Sequence, residues 1–512
     1  MEEAGRERVR VLDAATAAFA AKGFEGATME EIATQAGVPL ARLCLEHPTK
    51  EHLALALYAR LAEELTELAA ELPEGEVAER FAFVMAHKLR VIEPLRGALV
   101  ALAGKAVDPD ARAGVLGAAA EPVRSRVAAI FDAVVRGARD APADAPRAAR
   151  ALYGAHLALI LLWLQRGDHE SLVALARDVA RGLPMLAAMT PMVERLEHLV
   201  GARLPAQGEG HEASARVILQ RILRRRRVFA DVPPEPTEAT FALHSPRVRA
   251  FLEAGTPISL VLPAFPAKAP SRRKVLGTRP DMAEALALRA LATLLDEIEE
   301  AHAPGAELVI CSDGTVFADV VGVRAEDVSS YRAGLEAMLR EMGERRVRLF
   351  DLADALGELP PDAARAALLA RYAEDAAALR ERAARSPAFA RQVDGIHRFV
   401  VEDELAKEDG RSKSQIKREA RERAYEVVRR SDAWGRLVAA FFPDAIRLSI
   451  HPQPDVSAKI GIHLVATEDA WLTPWHGCAV LHGGRFELMK RADAEARGAR
   501  VVEAELPHMV IG

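Results

Sequence analysis

The sequence predicts a protein of two different parts, an all-α N-terminal half followed by an α/β C-terminal half. A chain of 512 residues is too long for a single hydrophobic core, so more than one domain is expected. Before about residue 205 the chain is rich in alanine and has the apolar periodicity of helices, with almost no strand pattern. After it, short β-branched runs alternate with helical segments, which is typical of a largely parallel sheet.

Composition places the chain among soluble globular proteins of the cytoplasm. The net charge of −6 gives no general attraction to nucleic acid or to a membrane surface. No apolar run reaches the roughly 20 residues that span a bilayer, and the start, MEEAGRERVR, lacks the apolar stretch of a secretory signal. The three cysteines, Cys44, Cys311 and Cys478, are far apart and indicate neither a disulfide framework nor a zinc site.

The composition shift and a Gly-rich stretch set the domain boundaries. LPAQGEGHEAS, at 204–214, has the Gly and polar residues of a linker. The nearly apolar stretch at 151–164 predicts a buried helix. We predict a helix-turn-helix domain over 1–55, a helical domain over 56–203, a linker over 204–214 and an α/β domain over 215–512.

Short helices with clear caps follow one another near the N-terminus. Thr28 with Glu31 has the spacing of a capping box, and AGVP then provides a Gly turn. A further helix follows from about Pro39, and Thr49 is a cap for the next one. A helix, a tight Gly turn and a second helix form the helix-turn-helix pattern.

These residues resemble a known family of regulators. VLDAATAAFAAKGFEGATMEEIATQAGVPLARL is similar to the DNA-binding domain of TetR-type repressors over residues 6–55, and the stretch to about 200 fits that family's ligand-binding and dimerisation domain in length and composition. The resemblance implies a homodimer and a DNA partner. Its candidate DNA-contacting residues are Thr28, Pro39, Arg42 and Lys50.

The recognition helix departs from the family pattern. Cys44 stands where the family has a tyrosine, and Glu46 adds a carboxylate nearby. Residues 1–52 carry six cations and nine acids, a balance of −3, whereas DNA affinity depends largely on phosphate neutralisation. Two interpretations remain open: retained DNA binding, or a helical domain kept for dimerisation or small-molecule sensing.

The α/β half contains a basic segment directly after an apolar strand. SLVLPAF runs into PAKAPSRRK, which holds Lys268, Arg272, Arg273 and Lys274. Loops at the carboxyl ends of strands are the usual ligand sites of open α/β sheets, and such cations bind phosphate or carboxylate. The alternative is a solvated basic loop. Asp281 then caps a helix, DMAEALALRALATLLDEIEEA.

Further polar residues follow other predicted strands. Ser312 and Asp313 end ELVICSDG, where the Asp-Gly pair is either a turn or a carboxylate for a substrate hydroxyl or ammonium. His451 ends IRLSIHPQ, Lys459 opens KIGIHLVA, and Trp475-His476 lies in TPWHGCAV, before a Gly-Gly turn between two short strands. The arginines of 221–227 fit a solvated helix end, with phosphate binding as the alternative. None of the histidines has the spacing of a metal-ligand pair, so no metal site is expected.

Together, these motifs resemble one enzyme family. LPAFPAKAPSRRKVLG, ICSDGTVFADVV, RSDAWGRL, RLSIHPQ and TPWHGCAV with GRFELM are similar to the isonitrile (isocyanide) synthases, or pyoverdine/dityrosine biosynthesis family, across about 215–512. The resemblance implies a Rossmann-like α/β fold. It also implies a reaction in which the amino group of an amino acid, commonly Tyr or Trp, becomes an isonitrile. The added carbon comes from C2 of ribulose 5-phosphate as co-substrate, without a metal or nucleotide cofactor.

The residue types suit that chemistry, since proton transfers need His or a depressed-pKa Lys, and a sugar phosphate needs cations. We therefore expect His476 and His451 as the acid–base pair; Lys268, Arg272, Arg273 and Lys274 at the phosphate or carboxylate; Asp313 and Ser312 at ammonium or hydroxyls; Trp475 as a wall; and Lys459 at phosphate or in a transient imine. The competing hypothesis is a regulator whose synthase-like domain senses an amino acid or product.

Overall fold

The computed structural model describes residues 2–106, 120–182, 210–405 and 410–511. The chain forms two compact units, Met1–Glu209 and Gly210–Gly512. Of the predicted linker, residues 204–209 lie outside the described residues, as do 107–119 and 183–203 of the predicted helical domain.

The first unit is helical throughout its described part. Its helices are α1 (Glu2–Gly26), α2 (Met29–Ala36), α3 (Leu40–Glu46), α4 (Lys50–Glu67), α5 (Val77–Ile92), α6 (Arg96–Ala106), α7 (Glu121–Arg136), α8 (Ala145–Arg166) and α9 (His169–Arg181). The predicted all-α front part is therefore confirmed.

Local capping explains where the first helices begin and end. The Thr28 hydroxyl accepts from the Glu31 backbone N–H at 3.2 Å, which caps α2. The reciprocal half of the predicted capping box is absent, because the Glu31 carboxylate pairs with Lys22 at 2.6 Å instead. Gly37 ends α2 in the left-handed conformation with φ 69°, and Pro39 occupies the N-cap of α3. Thr28 and Pro39 thus have structural roles at helix ends.

Helix α8 lies in the core of the helical unit. By length and composition alone it could cross a membrane. Its side chains Leu152, Leu159 and Trp163 nevertheless pack with residues of α4, α5 and α7 into one hydrophobic cluster. The predicted buried helix at 151–164 is therefore confirmed as the middle of α8.

The second unit is built on a parallel sheet of five strands. The strands are β1 (Ile258–Pro263), β2 (Ala306–Cys311), β3 (Val347–Phe350), β4 (Ile446–Ser449) and β5 (Ile460–Gly461). Their order is β3-β2-β1-β4-β5, and all four neighbouring pairs are parallel. The predicted α/β domain with a largely parallel sheet is confirmed.

Helices cover both faces of this sheet, which explains why its strands are apolar on both sides. Alternate residues of β1 point to opposite cores: Leu260 and Leu262 to one, Val261 to the other. Four helices cover the first face: α10 (His211–Leu223), α11 (Glu238–Ala254), α12 (Met282–Ala301) and α14 (Ala325–Glu341). Four others cover the second face: α13 (Gly314–Val321), α15 (Leu352–Leu356), α16 (Pro361–Tyr372) and α19 (Lys413–Phe441). Between them in the chain are α17 (Ala376–Arg385) and α18 (Pro387–Leu405).

A smaller mixed sheet of four strands follows the TPWH segment. Its strands are β6 (Cys478–His482), β7 (Arg485–Met489), β8 (Arg500–Val502) and β9 (His508–Val510), in the order β7-β6-β9-β8, with α20 (Arg491–Ala496) after β7. Gly483 and Gly484 have φ values of 54° and 70°, as a two-residue hairpin turn requires, so the predicted Gly-Gly turn is confirmed.

Candidate active site

The polar side chains of the α/β unit gather at the carboxyl ends of three neighbouring strands. Segment 264–281 leaves β1, segment 312–314 leaves β2 and segment 450–459 leaves β4. Since β1 pairs in parallel with both β2 and β4, all three segments start at the same edge of the sheet. This edge is where open α/β sheets bind ligands.

Asp313 is held at this edge by a very close approach of two chain segments. A Cβ on the following residue, Gly314, would lie 2.1 Å from the Pro266 carbonyl oxygen, so only glycine fits there. The Ser312 hydroxyl donates to the Phe265 carbonyl at 2.9 Å, which joins the same two segments. The Asp313 Oδ1 atom is buried without a hydrogen-bond partner. Burial raises the pKa of the Asp313 carboxyl to about 7, against the effect of a backbone hydrogen bond.

His451 and Lys459 are the ionisable groups after β4. The His451 side chain is half-buried with its ring 5.6 Å from that of Trp471, and its buried Nδ1 atom has no hydrogen-bond partner among the described residues. Burial, followed by the charges of Arg227 and Lys459, lowers the pKa of His451 to about 4, so the imidazole is neutral at pH 7. Burial and the charge of Arg447 also lower the pKa of the Lys459 amine. Both groups are therefore biased toward their neutral, proton-accepting forms.

The TPWH segment forms a 3₁₀ turn, Pro474–His476, that carries the Trp475 and His476 rings. Trp475 is 1% exposed and its ring lies 5.0 Å from that of Phe265, so it belongs to the core beneath the turn. The His476 ring stacks on Phe399 at 5.4 Å, and its Nδ1 atom lies 2.9 Å from the Thr473 hydroxyl. Sequence reasoning had no local signal for Phe399, which comes from α18.

Electrostatics link His476 to the other predicted residues. Burial, then the charges of Lys274, His451, Lys268 and Lys490, hold the pKa of His476 well below its usual range. His451 and His476, predicted as a pair from distant sequence positions, are thus near enough to influence each other. Both are neutral imidazoles at pH 7.

Lys268 lies in a buried cluster of charges beneath the turn. Its ammonium contacts Asp281 at 2.9 Å and Glu284 at 2.8 Å, and donates to the Pro474 carbonyl at 3.1 Å. Burial favours the neutral amine, but the two carboxylates outweigh it and raise the pKa of Lys268. The Tyr331 hydroxyl donates to the other Glu284 oxygen at 2.9 Å. Two carboxylates and a carbonyl oxygen surround the ammonium, so Lys268 holds the turn and is not presented to a substrate phosphate.

Arg227 is a second buried cation that positions the site. Its guanidinium donates to the carbonyls of Ile450, at 2.5 Å, and Leu472, at 2.7 Å. These carbonyls come directly before His451 and Thr473. The solvated helix end expected for this arginine run is therefore wrong at Arg227, because its side chain is buried and ties together the two segments that carry the histidines.

The other cations of the basic loop are divided between the interior and solvent. The buried Lys274 ammonium pairs with Asp403 at 2.9 Å. Arg272 and Arg273 are exposed, and Arg272 donates to the Leu276 carbonyl. The structure therefore does not bring these four cations together around one anion.

Electrostatic effects link three half-buried groups, His451, Lys459 and His476. Asp313, also half-buried, lies at the same sheet edge after β2. The pocket roles of Ser312 and Trp475 stay predictions. The sequence analysis did not single out Glu284, which lies in the first turn of the helix that Asp281 caps. Within the described ranges, no group of three or more His, Cys, Asp or Glu side chains is placed to hold a metal ion.

In the helical unit, the predicted DNA-contacting cations are engaged within the protein. Arg42 lies 3.4 Å from Glu7 and 3.5 Å from Glu46. The Lys50 ammonium donates to the carbonyls of Phe24, at 2.7 Å, and residue 25, at 3.1 Å. These contacts compete with phosphate binding at both positions.

Two families match different parts of the chain. The one described as pyoverdine/dityrosine biosynthesis protein matches residues 248–502, and the one described as bacterial regulatory proteins, tetR family, matches residues 11–57. The first match includes Lys268, Asp313, His451, Lys459 and His476 but not Arg227, and the second covers the helix-turn-helix.

Named relatives are similar to the α/β unit over most of their own length. An L-tryptophan isonitrile synthase, AmbI2 of Fischerella ambigua, is 43% identical over 288 residues, 56% of this chain and 87% of the relative. An L-tyrosine isonitrile synthase of Pseudomonas aeruginosa is 44% identical over 298 residues, 56% of this chain and 90% of the relative. The crystal structure of the PvcA protein from Pseudomonas aeruginosa aligns with a TM-score of 0.56 and 41% identity, over 58% of this chain and 99% of that one.

Proposed function

Because the chain belongs to the pyoverdine/dityrosine biosynthesis family and is an enzyme of the isonitrile-synthase type, we propose that it converts the amino group of an aromatic L-amino acid, tyrosine or tryptophan, to an isonitrile. We propose ribulose 5-phosphate as the carbon donor, with no metal or nucleotide cofactor. The reaction would serve natural-product biosynthesis.

The observation that carries this proposal is a pair of buried, unpartnered acid–base atoms at one sheet edge. Asp313 Oδ1 and His451 Nδ1 both lack a hydrogen-bond partner among the described residues. Burying such groups without a partner is costly, and a substrate that supplies the partners removes that cost. With a pKa of about 7, the Asp313 carboxyl can both accept and return a proton at neutral pH.

Lys459 is our candidate for the contact with the sugar phosphate. Its depressed pKa increases the fraction of neutral amine, which can condense with a ketone as a transient imine. When protonated, the same group is a point charge for the phosphate. Lys268 and Lys274 keep the surrounding segments in place through their carboxylate partners.

We further infer a Rossmann-like sheet, which the strand order β3-β2-β1-β4-β5 supports. In sheets of this kind, ligands bind in the crevice where the direction of the strand order changes, which here lies between β1 and β4. His451 follows β4, and Asp313 follows β2, on the other side of β1.

We assign the helical unit to dimerisation or ligand sensing in a cytoplasmic homodimer. The engaged side chains of Arg42 and Lys50 favour this over DNA reading. The three cysteines are buried and form no disulfide within the described part of the chain, as expected in a reducing compartment. Light scattering measures the oligomer. Anisotropy with genomic fragments at rising salt tests the alternative of a DNA-binding regulator, whose affinity must fall steeply with salt.

The enzymatic proposal is tested with the purified full chain, ribulose 5-phosphate and each proteinogenic amino acid, using mass spectrometry to detect the isonitrile. We expect product from tyrosine or tryptophan. Asp313→Asn keeps the size of the side chain but removes the titrating proton, so its rate should fall by about 100-fold or more. Asp444→Asn, at an exposed position of the same unit, is the matched control and should keep full activity. A folded protein that makes no product from any amino acid would favour the regulator instead.

A further inference from the structure

The helical unit contains an apolar cavity of about 290 Å³ between α4, α5, α6, α7 and α8. This volume is near the lower end of small-molecule sites, about 300–1,000 Å³. Its walls are mostly aliphatic, with Ile92, Leu99, Val127 and Ile160 as examples. A compact, largely apolar molecule fits such walls.

Positively charged and hydroxyl side chains also line this cavity. The Lys88 ammonium contacts His156 Nε2 at 2.5 Å, and because the ammonium can only donate, this imidazole nitrogen is the acceptor. Arg124 is 5% exposed and lines the same cavity. The Tyr58 hydroxyl is buried and has no hydrogen-bond partner among the described residues. This unmatched hydroxyl is a separate indication that a polar ligand atom belongs there.

The charges of the cavity have one sign. None of the described residues that line it is Asp or Glu. Burial lowers the pKa of Lys88 to about 7, as expected for an ammonium without a nearby carboxylate. An anionic ligand would supply an opposite charge beside Lys88, whereas a ligand ammonium would be buried next to that cation with no carboxylate among the described lining residues.

From this arrangement we propose that the helical unit binds an organic acid that has a compact apolar body and no ammonium group. Its carboxylate contacts Lys88, a polar atom reaches the Tyr58 hydroxyl, and its body fills the aliphatic part of the cavity.

If the proposed function holds, the same ligand preference distinguishes the product of the reaction from its amino-acid substrate. Conversion of the amine of tyrosine to an isonitrile removes the positive charge and leaves the carboxylate and the ring. The cavity would therefore accept the product and reject the amino acid, which would make the helical unit a product sensor.

Calorimetry on the full chain tests the binding proposal without requiring the enzyme to be active. The probes are 4-hydroxyphenylpropanoate, which is tyrosine without its ammonium, then L-tyrosine, and octanoate as an acid from another source. We expect an acid to bind in wild type and at least 10-fold more weakly in Lys88→Met, since a hydrogen bond to a charged group contributes about 1.5–3 kcal/mol. Tighter binding of 4-hydroxyphenylpropanoate would indicate an aromatic acid as the ligand, and tighter binding of octanoate would indicate a fatty acid.

Three further variants locate the site. Lys22→Met removes an exposed lysine of the same unit, and His451→Gln alters the α/β site, so both should bind the acid as wild type does. Ile160→Phe fills the cavity but keeps its charged side chains, so it should also lose acid binding. This variant tests the proposal if Lys88→Met does not fold. Unchanged acid binding in the folded Lys88 and Ile160 variants would overturn the proposal, as would a Lys88-dependent site that binds L-tyrosine as tightly as the acids.

Discussion

Replacing Lys268 by methionine should destabilise the α/β unit strongly. The Lys268 and Glu284 side chains are 0% exposed and that of Asp281 is 4% exposed, so water cannot compensate for the lost ammonium. Removing one member of a buried charge pair costs about 3–5 kcal/mol. At about 2–4 °C per kcal/mol for a unit of this size, the melting temperature should fall by about 6–20 °C.

The loss of stability in Lys268→Met should depend on pH in a definite direction. Burial raises the pKa of Glu284 from its usual 4.5 to about 8, despite the attraction of Lys268. Between these values the folded state binds more protons than the unfolded state, so this group lowers stability as pH rises through that window. Without Lys268 the carboxylates favour protonation still more. The deficit of Lys268→Met should therefore be smaller at pH 5 than at pH 8.

Scanning calorimetry at both pH values measures these effects. Lys490→Met is the matched control, because its partner Glu402 and its own side chain are partly exposed, and such pairs contribute about 0–1 kcal/mol. A melting temperature of Lys268→Met within about 2 °C of wild type at pH 8, or a deficit that grows on acidification, would refute the role assigned to this cluster.

Two further substitutions test the site. His451→Gln should lower kcat by about 100-fold with little change in melting temperature, whereas His463→Gln, at an exposed histidine whose pKa is also about 4, should keep most activity in the same assay. Gly314→Ala should cost about 1–3 kcal/mol and most of the activity, because the added Cβ meets the Pro266 carbonyl. Gly154→Ala, inside α8 where nothing lies within 4 Å of the added Cβ, should melt no lower than wild type, and equal melting of both alanine variants would contradict this packing argument.

The strands could be predicted because their signal is local. SLVLPAF and ELVICSDG contain the apolar runs that became β1 and β2, and RVRLFDL contains β3. The run KIGIHLVA formed only a two-residue strand, Ile460–Gly461, because its next residues bridge to the segment of Arg226 instead of extending the parallel pair.

The division of labour among the cations could not be predicted from the sequence. Lys268 and Lys274 are six residues apart in one basic loop, yet Lys268 is neutralised by the start of α12 and Lys274 by Asp403, 129 residues further along. Arg227 likewise finds its carbonyl partners more than 200 residues away. Such partners depend on tertiary packing, which no local pattern encodes.

The origin of the isonitrile carbon tests the central claim most directly. The full chain would be incubated with its reactive amino acid and ribulose 5-phosphate carrying ¹³C at C2 only, and the product would be examined by mass spectrometry and carbon NMR. Our account predicts one ¹³C atom, located in the isonitrile group. An unlabelled isonitrile would contradict the proposed donor, and the absence of any isonitrile from the folded protein would contradict the proposed reaction itself.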